Sequence, residues 1–138
     1  MCGLVGLWHP APTSTPELAA SARAMAAAIA HRGPDDAGLY SDPAAGFVLA
    51  HRRLAILDLS PAGHQPMASA SGRFQIAFNG EIYNHLHLRR ELEAASFLQR
   101  PWRGRSDTET LLAAIEAWGL EATLQLSLIH ISEPTRPY

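Results

Sequence analysis

The sequence predicts an α+β domain, on three observations. Apolar residues recur every three or four positions near the N-terminus and again in the C-terminal half, as in helices with one buried face. Between these stretches lie short β-like runs separated by turn residues. The 138 residues are 47% hydrophobic and 17% charged, enough apolar material for about one core.

The elements follow in order. Cys2 to Trp8 sets Leu4, Gly6 and Trp8 against Gly3, Val5 and Leu7, a short apolar strand. Thr15-Pro16-Glu17 then offers an N-cap, a proline at the first helical position and an acid in the first turn. Leu18, Ala22, Met25 and Ile29 put one stripe of an alanine-rich helix against a core until about Ala30, and Arg32-Gly33-Pro34 ends it. Three β-like runs follow, Phe47 to Ala50, Leu54 to Leu59 and Phe74 to Asn79, with Ser60-Pro61-Ala62-Gly63 among the intervening turns. In the last run Phe74, Ile76 and Phe78 share one face and Gln75, Ala77 and Asn79 the other, so Asn79 should end a strand. Leu88 and Leu92 after an Asn84 cap predict a second helix. Leu111, Leu112, Ile115 and Trp118 before Gly119 predict a third. No internal repeat or linker divides the chain. From Leu126 to Tyr138 the style changes, with Pro134 and Pro137 close together and no amphipathic continuation, so this stretch is expected to contribute no packed face.

Composition excludes several functions. The formal charge is -2 with no basic concentration, against a nucleic-acid-binding face. All 11 Lys+Arg residues are Arg, which removes the phosphate-loop lysine and any Schiff-base lysine. A single Cys can form neither an intrachain disulfide nor a four-thiolate zinc site, and the chain reads as reduced and cytoplasmic. No apolar run approaches the roughly 20 residues of a membrane-spanning helix. The first residues lack the charged start of a signal peptide, so the chain is expected to begin where its gene begins.

The chemistry-bearing candidates each have two readings. If Met1 is removed, Cys2 carries a thiol and a free α-amino group of reference pKa near 8, a nucleophile and its own general base. Otherwise it is a small buried hydrophobe. Asn79-Gly80 could supply an amide donor and an approachable backbone N–H for an oxyanion, or simply a hairpin turn. Arg53 and Asp107 could clamp the carboxylate and ammonium of an amino acid. Asp107 also lies inside Ser106-Asp107-Thr108-Glu109, a capping box that would favour an acid there in any case. Glu81 is a second ammonium partner or a solvated turn acid. His85 and His87, two apart, face different sides of a helix, and with His31, His51 and His64 they complete no ligand set, so no metal site is expected. Cys2-Gly3-Leu4-Val5-Gly6 lacks the lysine of a phosphate loop.

Together, the order of six motifs resembles the glutaminase domain of glutamine-hydrolysing asparagine synthetases, class II glutamine amidotransferases of the N-terminal nucleophile hydrolase type. The motifs are Cys2 to Gly6, His31-Arg32-Gly33-Pro34-Asp35-Asp36-Ala37-Gly38, His51 to Asp58, Gly63-His64-Gln65-Pro66-Met67, Phe78-Asn79-Gly80-Glu81-Ile82-Tyr83-Asn84, and Ser106 to Glu109. The resemblance covers residues 2–125 and implies an α/β/β/α sandwich of two antiparallel sheets, incomplete at the C-terminus. It implies that Cys2 forms a γ-glutamyl thioester, that Asn79 and the Gly80 N–H form the oxyanion hole, and that Arg53 holds the glutamine carboxylate. Asp107 and Glu81 would hold the ammonium, and Leu54, Ile56 and Leu57 would line the pocket on a strand.

The resemblance further implies that ammonia passes to a synthetase domain that adenylates aspartate with ATP and magnesium, and that this chain needs no cofactor of its own. That domain and its Ser-Gly-Gly loop are absent from the sequence, so its partners are expected to be glutamine and a missing C-terminal domain, in a homodimer when full length. Residues 126–138 resemble translated sequencing-adapter read-through rather than the family's next strand. A non-catalytic glutamine-binding module, a mere fragment, or an amidotransferase serving another acceptor are the competing readings.

Overall fold

A computed structural model describes residues 2–10, 15–56, 59–127 and 129–130 of the chain. Its elements run β1 (Gly3–Trp8), α1 (Thr15–Ala28), β2 (Asp36–Asp42), β3 (Phe47–Arg53), β4 (Met67–Ala68), β5 (Gln75–Ile76), β6 (Glu81–Ile82), α2 (His85–Ala94), α3 (Asp107–Trp118), α4 (Leu120–Leu126) and β7 (Ile129–His130). The mixture of helices and antiparallel sheets is the α+β class expected. Two compact units are present, residues 1–67 with 76–79, and residues 68–75 with 80–138.

In the first unit β3 lies between β1 and β2, antiparallel to both, with Gly3 opposite Arg52 and Asp36 opposite Arg53. Residues paired across strands share a face, so Val5, Leu7, Leu39, Val48 and Ala50 all point one way. Against them α1 packs Ala22 and Ala26, with Leu18 and Ile29 at the margin. Alanine is a good helix former whose small side chain lets the helix lie close to the sheet. Met25, expected on this stripe, is 47% exposed, and Ala26, four residues after Ala22, takes its place in the core.

Three strand expectations change. The run Phe47 to Ala50 continues to Arg53, since both neighbours supply ladder partners that far. Of the expected strand Leu54 to Leu59, the described residues 54–56 and 59 are in no strand: past Arg53 the Ala55 N–H donates to Asp35 Oδ2 at 2.8 Å instead of to a neighbouring strand. Of Phe74 to Asn79 only Gln75–Ile76 is in a ladder, and Phe78 donates its N–H to a side chain, Gln65 Oε1, at 2.7 Å. Strand β2 was not anticipated, because Asp36, Gly38 and Ser41 interrupt its alternation.

In the second unit α2 buries Leu88 and Leu92, as the spacing predicts, and α3 buries Leu111, Leu112 and Ala114. Ser106 Oγ accepts the Glu109 N–H at 3.2 Å, one half of the expected capping box. The Glu109 carboxylate turns instead to the backbone N–H groups of Arg103 and Gly104, at 2.9 and 3.1 Å. Asn84 occupies the N-cap of α2 without a side-chain capping bond, and its Nδ2 donates to Leu126 O at 2.8 Å. Gly119, at φ 85°, ends α3 and begins the short α4. The expectation that nothing from Leu126 onward packs is corrected for the first of these residues. Ser127 is buried and donates its N–H to Thr123 O at 2.9 Å, and β7 pairs with β6. These bonds form because α4 and β6 each present backbone groups that need partners. Residues 131–138 lie outside those described.

Candidate active site

The first unit gathers its chemistry at the end of β3. Cys2 stands one residue before β1, next in the series to the Gly3–Arg52 pair. Its Sγ accepts the Leu54 N–H at 3.3 Å and lies 3.6 Å from Leu54 O, and its own carbonyl accepts from Arg32 Nε at 3.3 Å. The thiol is half-buried. The stretch from Arg32 to Gly38 closes around this corner. A side chain on Gly33 would collide with the Arg52 carbonyl and the Arg53 nitrogen, and Arg52 Nε donates to Gly33 O at 3.0 Å.

Arg53 is 9% exposed, and its Nη1 donates to Ser60 O at 2.8 Å. Its guanidinium lies against Gly63, where a β-carbon would overlap Nη2. The turn Ser60 to Gly63 therefore sets this cation in position. Asp36, opposite Arg53, bonds His64 Nδ1 at 2.6 Å. Burial pushes the Asp36 carboxyl up, but the bond to His64 and the charge of that ring outweigh it and hold the pKa below the usual value. His51 is 1% exposed, and neither ring nitrogen makes a hydrogen bond of normal geometry to a described residue. Burial pushes its pKa down, while the nearby Phe78 backbone acts weakly the other way. Asn79 ends this unit and is exposed.

Gly80, Glu81 and Asp107 belong to the second unit. Gly80 and Glu81 are exposed, with Glu81 opening β6. Asp107 is buried, and both of its carboxylate oxygens are engaged: Oδ2 accepts the Ile82 N–H and Oδ1 the Thr108 N–H, each at 2.9 Å. This aspartate thus ties the start of α3 to β6 beside Glu81, a role the capping-box reading missed. Arg89 braces the loop before it, with Nη1 on Gly104 O at 2.9 Å, Nη2 on Ser106 O at 3.0 Å and Nε on Thr110 Oγ1 at 2.7 Å. Its guanidinium also stacks 4.2 Å over Trp102.

Of the residues predicted to bind substrate, Cys2, Arg53 and Leu54 are brought together, and Asn79 belongs to the same unit. Ile56 is 73% exposed and outside any strand, and Leu57 and Met1 lie outside the described residues. The paired histidines go separate ways, His85 Nδ1 to Ile82 O at 3.0 Å and His87 Nε2 to Glu91 at 3.3 Å. Sequence reasoning overlooked Gln65, buried and bonded to Phe78; its only signal was membership of the Gly63 to Met67 motif.

Comparison with known proteins places this arrangement in a family. The model of the glutamine amidotransferase domain matches residues 1–129, and the chain belongs to that family. It is 39% identical over 127 residues to asparagine synthetase [glutamine-hydrolyzing] 1 of Bacillus subtilis, covering 91% of this chain and 19% of the relative. It is 37% identical over 121 residues to asparagine synthetase B [glutamine-hydrolyzing] of Escherichia coli, covering 88% and 20%. An amidase of Gibberella zeae is 34% identical over 128 residues, covering 87% and 18%. The chain spans about a fifth of the length of these relatives. No helix among the described residues is long and apolar enough to cross a membrane.

Proposed function

We propose that this chain hydrolyses glutamine to glutamate and ammonia through Cys2, as the ammonia-supplying domain of an asparagine synthetase. The observation that carries the reading is the corner of the sheet where Cys2 Sγ, held by the Leu54 N–H, follows the strand that ends in the buried Arg53. The family match supplies the reaction class.

In this mechanism Met1 is removed and the freed α-amine takes the Cys2 thiol proton, directly or through a water. The thiolate attacks the side-chain amide carbon of glutamine. Its C=O electrons move onto oxygen, and the Asn79 amide and the Gly80 N–H stabilise that oxyanion. Collapse re-forms the carbonyl, breaks the C–N bond and releases ammonia as the amine returns the proton. Water then attacks the thioester, giving glutamate and the free thiol. Arg53 holds the glutamine carboxylate by charged hydrogen bonds. Asp107 and Glu81 take its ammonium, for which each Asp107 oxygen keeps a second lone pair beyond its backbone bond.

The finer architecture is part of the same proposal. Helix α1 covers one face of the β1–β3–β2 sheet. The other face carries Leu4, Trp8 and Leu49, with Trp8 70% exposed, and the second sheet of an α/β/β/α sandwich would cover it. The synthetase domain, with ATP and magnesium, would lie in the part of the relatives that this chain does not span, and residues 130–138, past the family match, would be foreign to the family. The Gibberella zeae amidase supports a second reading, the same glutaminase chemistry serving another ammonia acceptor.

The test is glutamate release from glutamine by the full chain, followed by mass analysis of the N-terminus. Activity with Met1 removed, reduced to background by Cys2→Ala, is expected. Full activity with Met1 retained, or undiminished turnover by Cys2→Ala, would overturn the mechanism.

A further inference from the structure

A glutaminase of this kind needs its oxyanion donor held still, yet the segment that carries Asn79 has left the sheet. The ladder of β5 stops at Ile76, and Ala77 to Asn79 have no strand neighbour among the described residues. A side chain meets this backbone instead: Gln65 Oε1 accepts the Phe78 N–H at 2.7 Å. Gln65 is itself 7% exposed and belongs to the same compact unit as Cys2, Phe78 and Asn79.

The backbone of Gln65 is anchored to the sheet that bears the nucleophile. A β-carbon on Gly38 would overlap Gln65 O and crowd the His64 ring, so the His64-Gln65 segment lies directly on β2. Gly38 is the register partner of His51, two residues along β3 from Arg53, and His64 is bonded to Asp36, the register partner of Arg53. One end of Gln65 is thus fixed to the rungs that carry His51 and Arg53, and the other grips the Ala77–Phe78 peptide, one residue before Asn79.

We propose that Gln65 is a positioning residue for the reaction: by holding the Phe78 peptide it aims the Asn79 side chain at the developing oxyanion. The inference rests on the glutaminase reading above. It gives a chemical role to the Gly63 to Met67 motif, which that reading leaves without one. A purely structural Gln65 would merely satisfy a buried donor, and its loss would weaken the fold without selecting one kinetic constant.

The experiment uses the full chain with Gln65→Met, which keeps length and loses the acceptor, Gln65→Glu, which keeps an acceptor oxygen, Asn79→Ala, and the Gln65→Met/Asn79→Ala double variant. Gln65→Met should lower kcat about tenfold with KM within about twofold, and Gln65→Glu should recover most of the loss. Asn79→Ala should lower kcat by about 10²- to 10³-fold. The double variant should be no slower than Asn79→Ala alone, because a misaimed donor that is already absent costs nothing more. Multiplicative losses in the double variant, or a Gln65→Met effect confined to KM, would overturn the inference while leaving the glutaminase reading intact. A wild-type chain that releases no glutamate would overturn that reading instead. Hydrogen exchange at the Phe78 amide then decides the anchoring separately: faster exchange in Gln65→Met but not in Gln65→Glu supports it, and equal exchange in all three overturns it.

Discussion

Adding one methyl group to the turn under Arg53 should separate binding from folding. Gly63 does not have positive φ, so alanine meets no backbone strain there, but its β-carbon would fall on the Arg53 guanidinium at Nη2 and Cζ. The displaced group is the far end of a flexible side chain, so it can swing aside at small cost to the fold. In doing so it abandons the position set by Ser60 O and, on the proposed mechanism, the glutamine carboxylate. A hydrogen bond to a charged group contributes about 1.5–3 kcal/mol. At 1.4 kcal/mol per factor of ten, KM for glutamine should rise about 10- to 100-fold, with kcat far less affected. Gly33→Ala is the contrast, since its β-carbon meets the backbone of Arg52 and Arg53, which cannot move without breaking the β3 ladder. The assays are glutaminase kinetics and urea denaturation of both variants. Gly63→Ala should lose affinity with a smaller fall in denaturation midpoint than Gly33→Ala, whose chief loss is stability. An unchanged KM in a folded Gly63→Ala protein would refute the placing of the glutamine carboxylate at Arg53.

Two further outcomes follow from buried charge chemistry. His51 is held neutral, its pKa below the usual 6.5, so its unfolded form binds the proton more readily. Stability should therefore be full above about pH 6.5 and fall toward its folded pKa, with a slope of at most about 1.4 kcal/mol per pH unit. Denaturation across that range should lose this component in His51→Leu, and an identical pH profile would exclude His51 as its source. Arg89→Met should cost about 3–5 kcal/mol, because three oxygens and the Glu109 carboxylate lose a buried partner. A loss below about 1 kcal/mol by chemical denaturation would show that water replaces the guanidinium there.

Periodicity alone determined the first three helices and the first strand, while the short α4 was not anticipated. Leu88 and Leu92, Leu111 and Leu112, and the alanine stripe before Arg32-Gly33-Pro34 repeat at the helical period, and a pattern of that length is legible without knowing what it packs against. The order of the motifs carried the family, because each short motif is ambiguous alone and their sequence is not. Tertiary structure decided what periodicity cannot encode. Strand β2 and the end of β3 at Arg53 depend on which neighbour offers its backbone, a contact distant in sequence. Asp107 read as an ammonium partner or as an acid favoured at the first helical position, and only the fold brought the Ile82 N–H to its second oxygen. Gln65 became visible for the same reason: a side chain that replaces a missing strand partner leaves no repeat in the sequence, since its reason for being there is a donor thirteen residues away.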